Sequence, residues 1–326
     1  MTESIVPGSD SPGGPVAAPM MDGEVLAPMT SPSDVTGTAA AGLELKARSQ
    51  WSYARSRFFR HRMALVGLVG LIIIFGAGLL APLIAPYSYS NIDLTIIYNA
   101  PSHAHWFGTD NLGRDVYTRT LYGIRTSLEV GVFVAALSTL IGLILGAIAG
   151  YFGGITDNLL MRLTDLFLTL PFLAILLTVS KLLHGNTPVK ISLILAALFW
   201  TGIARVVRGV FLSLREKEYV EAAKASGAGD TRIIFRHILP NTLGPVVVNG
   251  TLAVGTAILT EAAISFLQLG IQDPLPSLGL LVQSGQQYPP AWWLVVFPGL
   301  VIVIIVLCVN FLGDGMRDAF DPQSHH

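Results

Sequence analysis

At 326 residues, with 52% hydrophobic and only 13% charged positions and a mean hydropathy of +0.61, the chain is too apolar for an ordinary soluble domain. It reads as a polytopic membrane protein, in which the net charge of −1 matters less than where Lys and Arg fall relative to the spans. The single cysteine, Cys308, excludes an intramolecular disulfide, a cysteine-based zinc site and a CxxC redox motif.

Residues 1–45 are rich in Pro, Gly, Ser, Thr and Ala and carry acids from Glu3 to Glu44 without a base. Too few large apolar side chains are present to offset the entropy of ordering, which predicts a disordered cytoplasmic tail. No basic stretch followed by a short apolar core opens the chain, so a signal peptide is not expected. In residues 46–62, Lys46, Arg48, Arg55, Arg57, Arg60 and Arg62 interleave with Trp51, Tyr53, Phe58 and Phe59. Such a pattern can serve nucleic acid, but the charge-free run directly behind it makes this a cytoplasmic membrane flank with its aromatic rings at headgroup level.

A bilayer crossing needs roughly 20 apolar residues. On that measure the first transmembrane helix is expected at 63–85, followed by an external loop at 86–125. A core transmembrane domain at 126–316 then holds spans at about 126–152, 160–183, 189–210, 243–269 and 291–313, and a cytoplasmic tail follows at 317–326. The clean stretches inside the third and fourth spans are short, bounded by Asp165 and Lys181 and by Lys190 and Arg205. They suffice if Lys and Arg snorkel and Asp165 faces protein rather than lipid. With the amino terminus inside, the cytoplasmic segments hold the six bases of the flank, Arg162, Arg317 and seven bases around residues 205–236. The external side holds only Arg114, Arg119, Arg125, Lys181 and Lys190. This bias places both termini in the cytoplasm. Gly142, Gly146, Gly150, Gly255, Pro171 and Pro298 within the spans permit kinks and close crossings.

The polar insert at 215–241, REKEYVEAAKASGAGDTRIIFRHILPN, falls on the same side. Good helix formers fill Glu216 to Ser226, and Gly227 stands where a left-handed residue ends a helix. Asp230 can N-cap a second helix through Phe235, which Pro240 is expected to stop. Ala222, Ala223 and Ala225 leave room for a partner backbone, while Glu218 and Glu221 offer acids to an interface. A helix merely resting on the membrane is disfavoured, since anionic lipid would repel those glutamates.

Glu221-Ala222-Ala223, Gly227 and Leu239-Pro240 together resemble the EAA loop of ABC-importer permeases of the type I fold. His237 stands where the general pattern has Ile, with Ile238 one residue later. HWFGTDNLGRDV at 105–116, YGIRTSLEVG at 122–131, AGYFGG at 149–154, SFLQLG at 265–270 and LGDGMRDAFDP at 312–322 resemble the C-type subunits of dipeptide and oligopeptide importers. The resemblance covers about residues 55–322.

It implies an all-α membrane protein of six transmembrane helices with a cytoplasmic coupling helix that docks on an ATPase. The loop residues concerned are Glu218, Tyr219, Glu221, Ala222, Ala223, Gly227, Asp230, Leu239 and Pro240. Implied partners are a B-type permease subunit, two cytoplasmic ATPase subunits or domains, an external substrate-binding protein, the peptide and the bilayer, with no nucleic acid. No GxxxxGK[ST] phosphate loop occurs in the chain, so it is expected to be no enzyme and to bind no cofactor or metal, with ATP and Mg held by the ATPases. The cargo expected is peptide, with nickel chelates, glutathione or haem as alternatives.

Three acids in or beside spans, Glu129, Asp165 and Glu261, are functional candidates by position. Helix-to-helix hydrogen bonding is the preferred reading for them. An ion-coupled secondary transporter would use Asp165 and Glu261 as a relay and need no ATP, and a membrane-anchored scaffold would bind through the insert and move nothing. The D-x-x-G-R-D run at 110–115 lacks the alternating acids of a calcium loop, and His103 and His105 read as ordinary loop residues.

Overall fold

The computed structural model describes residues 55–182 and 187–320, which are all-helical apart from one isolated bridge between Thr109 and Asp115. The tail at 1–45, the flank as far as residue 54 and residues 321–326 lie outside the described residues.

Helix α1 (Arg62–Leu79) opens where His61 Nδ1 accepts the Ala64 N–H at 3.1 Å. The span expected to reach residue 85 breaks at Leu80, ahead of a short α2 (Ala81–Ile84) with Pro82 in its first turn. The loop expected at 86–125 is shorter than the charge pattern suggests, because α3 (Val116–Phe152) begins well before residue 126. Asp115 caps it by accepting the Thr118 N–H at 2.8 Å, and the arginines that interrupt the apolar run are accommodated inside the helix by acids.

The span expected at 160–183 is a broken one. It consists of α4 (Gly154–Thr169) and α5 (Phe172–Leu182), bent by 81° across Leu170 and Pro171. Pro171 supplies no N–H and clashes with the preceding turn, so the axis changes direction there. Helix α6 (Pro188–Arg215) overruns the expected end at 210 and leads into α7 (Glu218–Ala225).

Pro240 does not stop the second half of the insert. There α8 (Asp230–Ile233) passes through a π turn at Ile234–Ile238 into α9 (Leu239–Phe266). Pro240 sits in the first turn after the π turn, where its missing N–H costs little. The π turn absorbs one extra residue, which accounts for the displaced isoleucine: Ile238 is fully buried and His237 is not. Helix α10 (Leu278–Gln287), which composition does not announce, is capped by Ser277 through the Leu280 N–H at 3.2 Å. Helix α11 (Trp293–Phe320) continues past 313 into the expected tail.

Among the described residues five helices are long and apolar enough to cross a bilayer, or six when the bent pair counts as one span. Helices α3 and α6 approach closely along Gly142, Gly146 and Gly150. A Cβ on Gly146 would lie 2.5 Å from the Ala204 carbonyl oxygen, and one on Gly150 would lie 2.6 Å from Phe211 Cβ. The helix is unbroken through these glycines, which let the two backbones approach closely.

Candidate functional site

Helix α7 has one buried side chain, Val220, clustered with Tyr151, Phe211, Ile233 and Ile238. Glu218, Tyr219, Glu221, Ala222 and Ala225 are exposed, and Ala223 is half-buried. The three- and four-residue spacing puts Glu218, Glu221, Ala222 and Ala225 on one outward stripe, with Val220 and Ala223 on the side facing the bundle. Ala222 and Ala223, expected to act together, therefore face different ways. Glu218 and Glu221 lie in the first turn and Lys224 in the last, each at the end where the helix dipole favours it.

Gly227 adopts φ +80° and carries the chain out of α7, with the Ala228 N–H returning to the Ala223 carbonyl at 3.1 Å. Asp230, expected as an N-cap, leaves that place to Gly229, and its carboxylate accepts the Tyr151 hydroxyl at 2.6 Å. Arg215 Nη1 donates to the Tyr151 carbonyl at 3.0 Å, and Arg208 grips both oxygens of Asp157 through Nε and Nη2. Leu239 is half-buried and Pro240 exposed at the base of α9. The insert is thereby tied to the last turn of α3, and the helix α6 that leads into it is tied to the first turn of α4.

The three candidate acids within the spans are not brought together into a chain of acids. Glu261 on α9 is fully buried and accepts from Ser127 Oγ at 2.9 Å and Ser265 Oγ at 2.7 Å, which joins α9 to α3. Asp165 pairs with Arg205 between α4 and α6, and Glu129 with Arg125 one turn away on α3, both pairs about half exposed. His105 Nδ1 lies 2.9 Å from Asp115 Oδ1 and the ring stacks on Tyr87.

A second polar constellation lies at the other end of α3. Arg114 Nε donates to Asp110 Oδ2 at 2.7 Å and its Nη1 to Asp273 Oδ1 at 2.9 Å, and Arg119 Nη2 donates to the same Asp273 oxygen at 2.7 Å. Burial works to raise the Asp273 pKa, but the Arg119 and Arg114 guanidiniums outweigh it and hold the carboxyl below its ordinary value. Sequence reasoning counted these arginines only as charges, because Asp273 is 154 positions from Arg119 and no local spacing rule pairs them. The Arg208–Asp157 and Tyr151–Asp230 contacts escaped for the same reason. From Arg119 to Tyr151 the axis of α3 rises about 48 Å, so the two constellations occupy opposite ends of the bundle.

The family model described as binding-protein-dependent transport system inner membrane component matches residues 142–326, and the model for the N-terminal TM domain of oligopeptide transport permease C matches residues 49–101. The chain belongs to the binding-protein-dependent ABC importer permeases, in their peptide C-type branch. It is 40% identical over 279 residues to a dipeptide transport system permease protein of Alkalihalophilus pseudofirmus, covering 84% of this chain and 90% of that one. It is 42% identical over 284 residues to an oligopeptide transport system permease protein of Haemophilus influenzae, covering 86% and 91%. A methionine ABC transporter in an inward-facing conformation matches at TM-score 0.52 and 20% identity, covering 62% of this chain and 96% of that chain, which supports the shared permease fold. This permease is accordingly a multi-span membrane subunit of an ABC importer.

Proposed function

We propose that this permease forms half of a peptide translocation path, paired with a B-type permease and driven by two ATPases in which ATP and Mg are bound. Both termini and α7 lie in the cytoplasm in this reading, which the distribution of basic residues supports. An external binding protein delivers the cargo, and relatives named as dipeptide and oligopeptide permeases make peptide the preferred cargo over nickel chelates, glutathione or haem.

The observation that carries the coupling role is the outward stripe Glu218, Glu221, Ala222 and Ala225 on a helix whose opposite side is anchored by Val220. Exposed acids offer charge to an ATPase groove, and exposed alanines admit a close-lying backbone. Closure of the ATPases on ATP would carry α7 with it. The contacts of Val220, Tyr151 and Asp230 pass that displacement to α3 and α9, and the cavity between the permeases changes the side it faces.

The test is reconstitution of the four-part transporter with its binding protein in liposomes. Peptide uptake should require ATP, and Glu221→Ala should keep ATP hydrolysis while losing most uptake. Normal uptake by that variant refutes the coupling role, and uptake without ATP points to ion coupling. Competition by nickel chelate, glutathione or haem in the same assay decides the cargo.

A further inference from the structure

The Arg114, Arg119, Asp110 and Asp273 constellation opens onto a cavity of about 320 Å³. Gln268, Gln272, Gln283 and Gln287 form much of its wall, with Asn111 and Ser284 beside them. Arg119 is 1% exposed, yet among the described residues its Nε and Nη1 have no hydrogen-bond partner. Nε stands 3.8 Å from Asp110 Oδ2, too far for a hydrogen bond. A buried guanidinium with unused donors is costly, and each such group calls for an explanation. Asn111 Oδ1 in the same wall is also unpartnered.

Gln268 borders the cavity from the end of α9. It holds φ +61° just beyond the end of α9, a conformation that favours glycine, while its side chain lines the cavity.

We propose that this cavity receives the C-terminal carboxylate of the transported peptide, with Arg119 as the charge partner and the glutamines bonding the last peptide group. This rests on the peptide-import reading and on the orientation that puts this end outside. The charges of the two arginines and two aspartates cancel, so an incoming carboxylate meets no net repulsion and finds spare donors on Arg119. Amide side chains donate and accept, which suits a main chain of any sequence. The volume is at the small end of the range for ligand sites, so it accommodates the end of a peptide and not its whole length.

The experiment uses the complete reconstituted transporter and compares uptake of one tripeptide with a free C-terminus and the same tripeptide as its C-terminal amide. Arg119→Lys keeps the charge and removes the fork, and Gln283→Ala and Gln287→Ala alter the wall without touching the ion pairs. Arg119→Lys should lower uptake of the free acid by about tenfold and move the acid-to-amide ratio toward one, whereas each glutamine variant should lower uptake of both peptides. An unchanged ratio in Arg119→Lys overturns the proposal, as does undiminished uptake of both peptides in the glutamine variants, which decides the matter when Arg119→Lys fails to assemble. Equal loss for both peptides in Arg119→Lys, together with lost stimulation by the binding protein, also overturns it and assigns the cavity to protein docking. Absence of any ATP-driven peptide uptake in the unmutated transporter would instead refute the import reading itself.

Discussion

The hydroxyl of Tyr151, in the last turn of α3, donates to the carboxylate of Asp230 at 2.6 Å, and so joins a membrane helix to the arm that follows α7. Removing it with Tyr151→Phe should cost roughly 1 kcal/mol locally while leaving the ring packed among Phe211 and Val220. The expected result is less peptide moved per ATP hydrolysed with basal hydrolysis retained, read from parallel uptake and phosphate-release assays. Asp230→Asn should behave in the same direction.

The two adjacent alanines of α7 separate docking from folding. Ala222→Leu adds bulk to the outward stripe and should abolish co-purification with the ATPases while the permease keeps its thermal midpoint. Ala223→Leu pushes against the Val220 side and should lower that midpoint, since overpacking costs about 1–3 kcal/mol. Thermal unfolding in detergent and a pull-down together distinguish the two outcomes.

Gly146→Val places a branched side chain where even a Cβ would approach the Ala204 carbonyl oxygen to 2.5 Å. Helices α3 and α6 would have to separate along their whole crossing. Yield of folded protein and thermal midpoint should both drop, and more than for the same change at Gly76, whose Cβ position meets nothing within 4 Å.

Glu261→Gln keeps the shape; its amide oxygen still accepts from Ser265 and its NH2 can donate to the Ser127 hydroxyl, which is free to turn and accept, so transport should stay within about twofold. Glu261→Ala leaves a cavity and two buried hydroxyls without that partner, and should destabilise the fold. A relay proton carrier would respond in the opposite way, with Glu261→Gln alone abolishing uptake.

Asp273 gives the Arg119 end a pH dependence whose sign follows from its lowered pKa. A carboxyl that ionises more readily in the folded protein contributes stability above its unfolded value of about 3.9, and loses it as pH falls toward the lowered folded value. Hydrogen-exchange protection factors of residues 268–287, corrected for the intrinsic pH dependence of amide exchange, should therefore fall below about pH 4 and remain flat above it. Asp273→Asn should remove that step.

The long apolar spans, the polar insert and its turn at Gly227 were readable because each depends on local chemistry: a run of apolar residues, a change in polarity, a residue free to take positive φ. Helix ends were less readable. Arg119 and Arg125 look like loop charges until their acids are found, and those acids are supplied by folding. Pro171 and Pro240 carry the same local signal, yet one lies at the break of a span and the other in the first turn of a helix that continues from a π turn. The outward stripe of α7 needed the position of Val220, which a sequence of good helix formers leaves open. The Arg119 constellation was invisible for a further reason, in that its cavity is made from three separated stretches of chain.

Helix α3 runs without a break from Arg119 to Tyr151. A rod of that kind works as a lever, and a tilt of about 10° over its roughly 48 Å between those residues swings one end by about 8 Å relative to the other. The amplitude of such a stroke is set by helix length and pivot, and not by what is carried, so peptides of different size would meet the same displacement.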